Sequence, residues 1–283
     1  MTDRYAVIGN PIAHSKSPLI HKMFAEQTGQ DISYEAILAP LDGFATTIER
    51  LRNEGYKGCN VTVPFKFEAF QLATELTERA KAAQAVNMLK FNGDAILGDN
   101  TDGAGLVQDI EHNLGISLHG KRVLLMGAGG AAYGVAQPLM HAGVFLLLQN
   151  RTEQKAKSLF ETLNQSLPKN SLRETINRAE SKVSLYSKIN DGQPFKVVVN
   201  ATSSGLSDEM PDIPKTIFAP GALAYDMMYG RETPFMKFAR EHGAAVVSDG
   251  LGMLIEQAAE SFFLWRGVRP ETAPVIAALR AQQ

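Results

Sequence analysis

The sequence predicts an α/β protein of two domains, on three observations. The chain has 283 residues, too many for one small domain and enough for two at roughly 100–200 residues each. Short apolar runs alternate with segments of helical spacing, the order of parallel βαβ units. A glycine-rich turn, Gly127-Ala128-Gly129-Gly130, joins one such run to one such segment.

The first third alternates strand and helix signals. Tyr5-Ala6-Val7-Ile8 is a strand closed by the turn Gly9-Asn10-Pro11. Ser17-Pro18 starts a helix, with Ser17 as N-cap and Pro at the first helical position. Leu19, Ile20, Met23 and Phe24 keep helical spacing until Gly29. Tyr34 to Leu38 is a strand. Phe44, Ile48 and Leu51 mark a helix stopped by Gly55. Asn60-Val61-Thr62-Val63 is a third strand, closed by Pro64, and Phe65 to Leu72 is a helix.

The remainder repeats this logic. Val123 to Met126 is a buried strand entering the glycine turn, followed by a helix to about Ala142. Val144 to Leu148 is the next strand, with Asn150-Arg151-Thr152 at its carboxyl end. Phe160 to Lys182 is polar and weakly periodic, a helix and a variable connection. Val197 to Val199 is a strand ending in Asn200-Ala201-Thr202-Ser203-Ser204-Gly205. Ala222 to Asp226 and Ala245 to Val247 are strands around a helix from Pro234 to His242. Leu254 to Trp265 and Pro270 to Arg280 are the last two helices.

Composition narrows the function classes. Hydrophobic residues are 45% and charged residues 20%, the balance of a globular protein rather than a disordered one. The net charge of −2 lacks the basic excess of a nucleic-acid binder. A single cysteine, Cys59, forms no internal disulfide and no cysteine zinc site, which suits a reducing cytoplasm. The six histidines lack ligand spacing, so no metal site is expected, and His14 and His21 read as surface or packing residues. The N-terminus carries no export signal. Val123 to Asn150 holds no charged residue, yet glycines, Pro138 and polar residues interrupt it too often for a membrane span.

Gly127, Gly129 and Ala132 fit G-x-G-x-x-[G/A] between a strand and a helix. Such a turn lets backbone approach a pyrophosphate, and the helix start offers free N–H groups. About 20 residues on, a site for NAD places Asp or Glu. Here stands Gln149-Asn150-Arg151-Thr152, with Lys155 following. A guanidinium fork suits a phosphate dianion, so the expected cofactor is NADP.

The first third also carries Ser15, Ser17, Asn60, Thr62, Lys66, Asn87 and Asp102. Asn60 and Thr62 share a strand face by period 2. Lys66 follows at the carboxyl end, where open α/β sheets bind ligands. Hydroxyls, amides, one ammonium and one carboxylate suit a small polyhydroxylated acid. Each also has an ordinary role: Ser17 a cap, Lys66 a solvated surface residue, Asp102 an Asx-turn or cap.

Ser15-Lys16-Ser17-Pro18, Asn60-Val61-Thr62-Val63-Pro64-Phe65-Lys66, Ala85-Val86-Asn87, Asn100-Thr101-Asp102-Gly103, Gly127-Ala128-Gly129-Gly130-Ala131, Asn150-Arg151-Thr152, Asn200-Ala201-Thr202 and Asp249-Gly250-Leu251-Gly252-Met253 occur in that order. Taken together, these motifs resemble those of the shikimate dehydrogenase family. The resemblance spans nearly the whole chain. It implies a discontinuous substrate domain with a mostly parallel sheet, residues 1–102 plus about 253–283. A Rossmann-like NADP domain, about 103–252, is inserted, with a deep cleft between the two.

It further implies that Ser15, Ser17 and Tyr229 hold a substrate carboxylate. Asn60, Thr62, Lys66, Asn87, Asp102 and Gln257 would face the ring hydroxyls and the reacting oxygen, with Lys66 and Asp102 catalytic. Gly127, Ala128, Gly129, Gly130, Ala131, Asn150, Arg151, Thr152 and Lys155 would take cofactor phosphates. Thr202, Met227, Gly250 and Glu78 would complete the cofactor side. The implied reaction is reduction of 3-dehydroshikimate to shikimate in the pathway to chorismate and aromatic amino acids, by a cytoplasmic monomer or homodimer. Tyr133 departs from the family's usual basic or small polar residue in the turn. Two other readings stand beside this one: a quinate/shikimate dehydrogenase using NAD and NADP, and a catalytically silent dinucleotide-binding regulator. Keeping both Lys66 and Asp102 argues against the regulator.

Overall fold

Strands β1 (Asp3–Gly9), β2 (Ile32–Leu38), β3 (Gly58–Val61), β4 (Glu75–Leu76), β5 (Met88–Asn92) and β6 (Ala95–Asp99) form one sheet in a computed structural model. The structure describes residues 2–166, 183–184, 192–202, 209–210 and 213–282. The order is β2-β1-β3-β5-β6-β4. β1 runs parallel to β2 and β3, and β4 parallel to β6. β5 is antiparallel to both β3 and β6.

The β5–β6 pair is a hairpin absent from the sequence reading. Its turn is Gly93-Asp94, with Gly93 at φ 59°, where a short loop needs the left-handed region. A two-residue loop forces antiparallel pairing, so this sheet is mixed. The hairpin also sets the site. β5 begins beside Asn87 and β6 ends before Asn100, so the two loops meet at one edge, where β3 also ends.

Three boundaries differ from expectation. Ser17 is the first residue of the helix Ser17–Thr28, not its N-cap. Lys16 already has helical dihedrals and occupies the cap, while Ser15 Oγ accepts the Ser17 N–H at 3.3 Å. β3 ends at Val61, leaving Thr62 outside it. There a turn closed by Phe65 N–H to Thr62 O leads into the helix Lys66–Leu72. The last two helices run Leu251–Arg266 and Ala273–Arg280.

Ile8, Phe44, Ile48, Leu51, Phe65, Val86 and Leu89 make the core under this sheet. Helix Leu251–Arg266 is fastened to the same sheet. Trp265 Nε1 donates to Leu89 O at 3.1 Å and its ring stacks on Tyr5. A Cβ on Gly58 would stand 2.7 Å from Trp265 Nε1, so the close approach requires glycine.

The second sheet is β7 (Arg122–Met126), β8 (Phe145–Gln149), β9 (Val183–Ser184), β10 (Phe195–Asn200), β11 (Phe218–Asp226) and β12 (Val246–Ser248). Its order is β12-β11-β10-β7-β8-β9, and every neighbouring pair is parallel. Strands β7 and β10 are nearly continuous buried Val and Leu, as a sheet covered on both faces requires. Strand order reverses between β7 and β10. The helix Glu153–Ser166 follows β8; the connection expected up to Lys182 lies, from residue 167 on, outside the described residues, as do 203–205.

The chain divides into two units, Met1–Leu106 with Leu254–Gln283, and Val107–Met253. The helix Asp102–Gln108 runs on as a π-helical turn, Asp109–Asn113. Buried Asp109 accepts the Tyr225 hydroxyl at 2.6 Å and the Asn113 amide at 2.9 Å. A Cβ on Gly252 would overlap the Asp109 carboxylate.

Candidate active site

The edge where β3 and β6 end and β5 begins collects the polar residues of the first unit. Lys66 opens its helix, and Asp102 opens the helix Asp102–Gln108, where a carboxylate suits the positive helix end. Lys66 Nζ donates to Asp102 Oδ2 at 2.5 Å, with side-chain exposures of 13% and 8% that shield the pair from bulk water. Asp102 Oδ1 accepts Asn87 Nδ2 at 2.8 Å. That amide also lies 2.9 Å from Thr101 Oγ1 and 3.2 Å from Gln257 Oε1. The Thr101 N–H donates back to Asn87 Oδ1 at 2.8 Å, which fixes the amide's orientation. Asn100 ties the loop down, accepting the Asp102 N–H and donating to Ala85 O.

Asn60 is buried and fully engaged. Its Oδ1 accepts the Tyr34 hydroxyl at 2.8 Å, and its Nδ2 reaches Ser261 Oγ at 2.9 Å and Asn87 O at 3.2 Å. Ser17 is buried and Ser15 half-buried beside it. Thr62 is half-buried, and a Cβ on Gly9 would stand 2.4 Å from its methyl group. Glu78 is the exposed first residue of the helix Glu78–Ala83 in the same unit and pairs with Lys81 at 2.7 Å, an ordinary surface ion pair. The Lys66 cluster therefore joins Asn87, Asp102 and Gln257 directly, and Asn60 through Asn87.

In the second unit the candidates lie where parallel strands end. Gly127 ends β7 at φ 113°, and a Cβ there would meet Ala201 O at 2.8 Å. This is the switch point between β7 and β10, where open α/β sheets bind ligands. Gly129 caps the helix Gly130–His141 with no side-chain cap and no acidic residue in its first turn. A Cβ on Gly129 would meet no atom within 4 Å. An uncapped helix start with open space above its glycine fits a pyrophosphate. Ala128 and Ala131 flank it, and Tyr133 lies within the first turn. Arg151, Thr152 and Lys155 are exposed beyond β8, and Asn150 Nδ2 donates to Thr152 O. These residues suit a phosphorylated ribose.

Thr202, Met227, Tyr229 and Gly250 follow β10, β11 and β12. Thr202 Oγ1 donates to Asn200 Oδ1 at 2.7 Å, and Asn200 Nδ2 to buried Asp226 at 3.1 Å. Asp226 also accepts the Met228 N–H and the Thr233 hydroxyl. Burial first raises its carboxyl above the usual range, against those hydrogen bonds. Gly250 N–H donates to Met228 O, and a Cβ on Gly250 would stand 2.4 Å from Met227 O. Tyr229 is half-buried.

His21 is a packing residue. It is fully buried, stacked 4.1 Å from Tyr34, and neither ring nitrogen has a hydrogen-bond partner. Burial lowers its pKa to about 3. Among the described residues no group of His, Cys, Asp and Glu is placed to hold a metal, and no helix is long and apolar enough to cross a membrane. Sequence reasoning missed Thr101, Asn200 and Asp226, although each stands in a polar run closing a strand. It also missed Tyr34 and Ser261, which no local pattern marks.

Residues 7–89 match the shikimate dehydrogenase substrate binding domain, 108–188 the shikimate / quinate 5-dehydrogenase domain, and 250–280 the shikimate 5'-dehydrogenase C-terminal domain. A shikimate dehydrogenase (NADP(+)) of Methylobacillus flagellatus is 57% identical over 280 residues, covering 99% of both chains. One of Nitrosospira multiformis is 58% identical over 283 residues, covering 99% of this chain and 98% of its own. The chain belongs to the shikimate dehydrogenase family. Among solved structures, the shikimate 5-dehydrogenase of Thermus thermophilus in complex with NADP(H) and shikimate superposes with a TM-score of 0.84 at 31% identity, over 100% of both chains. An Ael1 enzyme from Pseudomonas putida gives 0.86 at 46% identity, over 98% of both. The fold is thus the family's: an N-terminal substrate domain and a Rossmann-like NADP-binding domain.

Proposed function

We propose that this chain is an NADP-dependent shikimate dehydrogenase, reversibly reducing 3-dehydroshikimate to shikimate on the route to chorismate and the aromatic amino acids. The observation that carries this reading is the Lys66–Asp102 pair, 2.5 Å apart, shielded, and held by Asn87. Reduction of a ketone places negative charge on its oxygen, and a proton must arrive there. Lys66 stabilises that charge and delivers the proton; in oxidation its neutral amine accepts it. Asp102 holds the Lys66 ammonium in place and takes a neighbouring hydroxyl.

Thr62, Asn87 and Gln257 orient the ring hydroxyls, with Asn60 behind them, while Ser15, Ser17 and Tyr229 take the carboxylate. Bound NADP supplies the hydride or receives it. Gly127 to Ala131 cradle its pyrophosphate, and Asn150, Arg151, Thr152 and Lys155 hold the phosphate on its ribose. Thr202, Met227 and Gly250 line the nicotinamide side. Glu78 is the remaining residue assigned to the cofactor. On this reading residues 1–102 and 253–283 bind substrate and 103–252 bind cofactor. The protein works in the cytoplasm as a monomer or homodimer, on a small molecule and not on nucleic acid or membrane.

Absorbance of reduced nicotinamide tests the reading, with shikimate or quinate crossed against NADP⁺ or NAD⁺. Reduction with shikimate and NADP⁺ alone is expected. Comparable rates with quinate or NAD⁺ would favour the broader dehydrogenase. Silence from folded protein that binds NADP⁺ would favour the regulator.

A further inference from the structure

Tyr34 lies on edge strand β2, outside every motif that marks the site, yet its hydroxyl enters the site's hydrogen-bond network. It donates to Asn60 Oδ1 at 2.8 Å. A carboxamide has two orientations, and this bond selects one. With Oδ1 turned to Tyr34, Nδ2 faces Ser261 Oγ and Asn87 O. The opposite orientation would set Oδ1 against the Asn87 carbonyl, acceptor against acceptor. Asn87 O also receives the Val61 N–H at 2.7 Å, so the Asn60 amide helps to pin the backbone whose side chain holds Asp102.

The tyrosine is itself held at both ends. Its ring stacks on His21 at 4.1 Å with an interplanar angle of 9°. Burial, and after it the neighbouring Cys59, raise the phenol well above its ordinary pKa. Tyr34 thus stays a neutral donor. Its hydroxyl reaches Asn60, which is given to the ring-hydroxyl end of the substrate.

We infer that Tyr34 is a positioning residue for shikimate, acting through Asn60 to orient Asn87 and Asp102. The inference rests on the shikimate reading above. Ser261, which receives Asn60 and lies 3.2 Å from Thr101 Oγ1, closes the same network from the helix Leu251–Arg266.

Tyr34→Phe removes one oxygen and keeps the stacked ring. The expected result is a KM for shikimate raised about fivefold, the factor one ordinary hydrogen bond represents. The KM for NADP⁺ should stay within about twofold, since its ligands lie elsewhere. Asn60→Ala should show the same split, and the double variant should be no worse than Asn60→Ala alone. Melting curves of all three report folding independently. An unchanged KM for shikimate in either single variant would overturn the inference, as would additive effects. A loss of kcat alone, with both KM values kept, would also overturn it, because that is the mark of a smaller folded fraction. A wild-type protein inert toward shikimate would instead overturn the substrate reading, and this inference with it.

Discussion

The two sheets carry their candidate sites by different means. At the edge of the first, the site is made of side chains: Lys66, Asp102, Asn87, Gln257 and Asn60 hold one another through directed hydrogen bonds. At the edge of the second, it is made largely of backbone. Gly127 and Gly250 stand where a Cβ would strike main-chain oxygens, and Gly129 opens a helix whose first N–H groups lack a side-chain cap. On the proposed reading the first arrangement would recognise particular oxygens and move a proton. The second would recognise a pyrophosphate, a charged group that many proteins bind. Side-chain identity governs one, and room for the main chain governs the other.

Substitutions put this contrast to the test. Lys66→Ala should lower turnover by about a thousandfold or more, as loss of a general acid–base does. Calorimetric titration should find NADP⁺ binding intact; a near-wild-type rate would remove Lys66 from the chemistry. Gly127→Ala should cost about 1–3 kcal/mol of stability through its left-handed backbone and weaken NADP⁺ binding. Gly129→Ala should weaken NADP⁺ binding but keep the melting temperature, because its Cβ meets no protein atom. Equal melting losses in both would show that the turn is structural. Arg151→Ala should raise the KM for NADP⁺ by about tenfold or more, with NAD⁺ little affected, as a lost charge-assisted contact predicts.

The smallest effect on activity at neutral pH belongs to His21. Its folded pKa of about 3 lies below the ordinary 6.5. As pH falls through that window, the unfolded chain takes a proton that the native chain refuses. Stability therefore falls between about pH 6.5 and 3, by about 1.4 kcal/mol per unit at most, and is unaffected above it. His21→Leu should flatten that slope in urea titrations at successive pH values. An unchanged slope would show that the acid sensitivity lies elsewhere.

The second sheet was the more legible in the sequence. Parallel strands buried on both faces read as continuous Val and Leu runs, and its glycine turn is local. In the first sheet, Lys66, Asn87 and Asp102 stand out by residue type, but their assembly depends on the β5–β6 hairpin. That hairpin is easily passed over because Lys90, Asn92 and Asp94 blur its strand pattern, although Asn92-Gly93 signals the turn. Ser17 and Thr62 shift by a single position, where strand and cap boundaries are decided by turn geometry. The Asn60–Ser261 bond joins residues 201 positions apart, and no window along the chain contains it.

That separation has a consequence for how the protein is made. Asn60, Asn87 and Asp102 leave the ribosome early, while Gln257 and Ser261 wait until residues 107–253 have been synthesised. At elongation rates of about 5–20 residues per second the interval is about 8–30 s. During it, Asn60 lacks its serine partner and the face destined for Trp265 is bare. The cluster around Lys66 and Asp102 thus ripens late in the chain's birth, and a premature stop before residue 257 would leave its amides without Gln257 and Ser261.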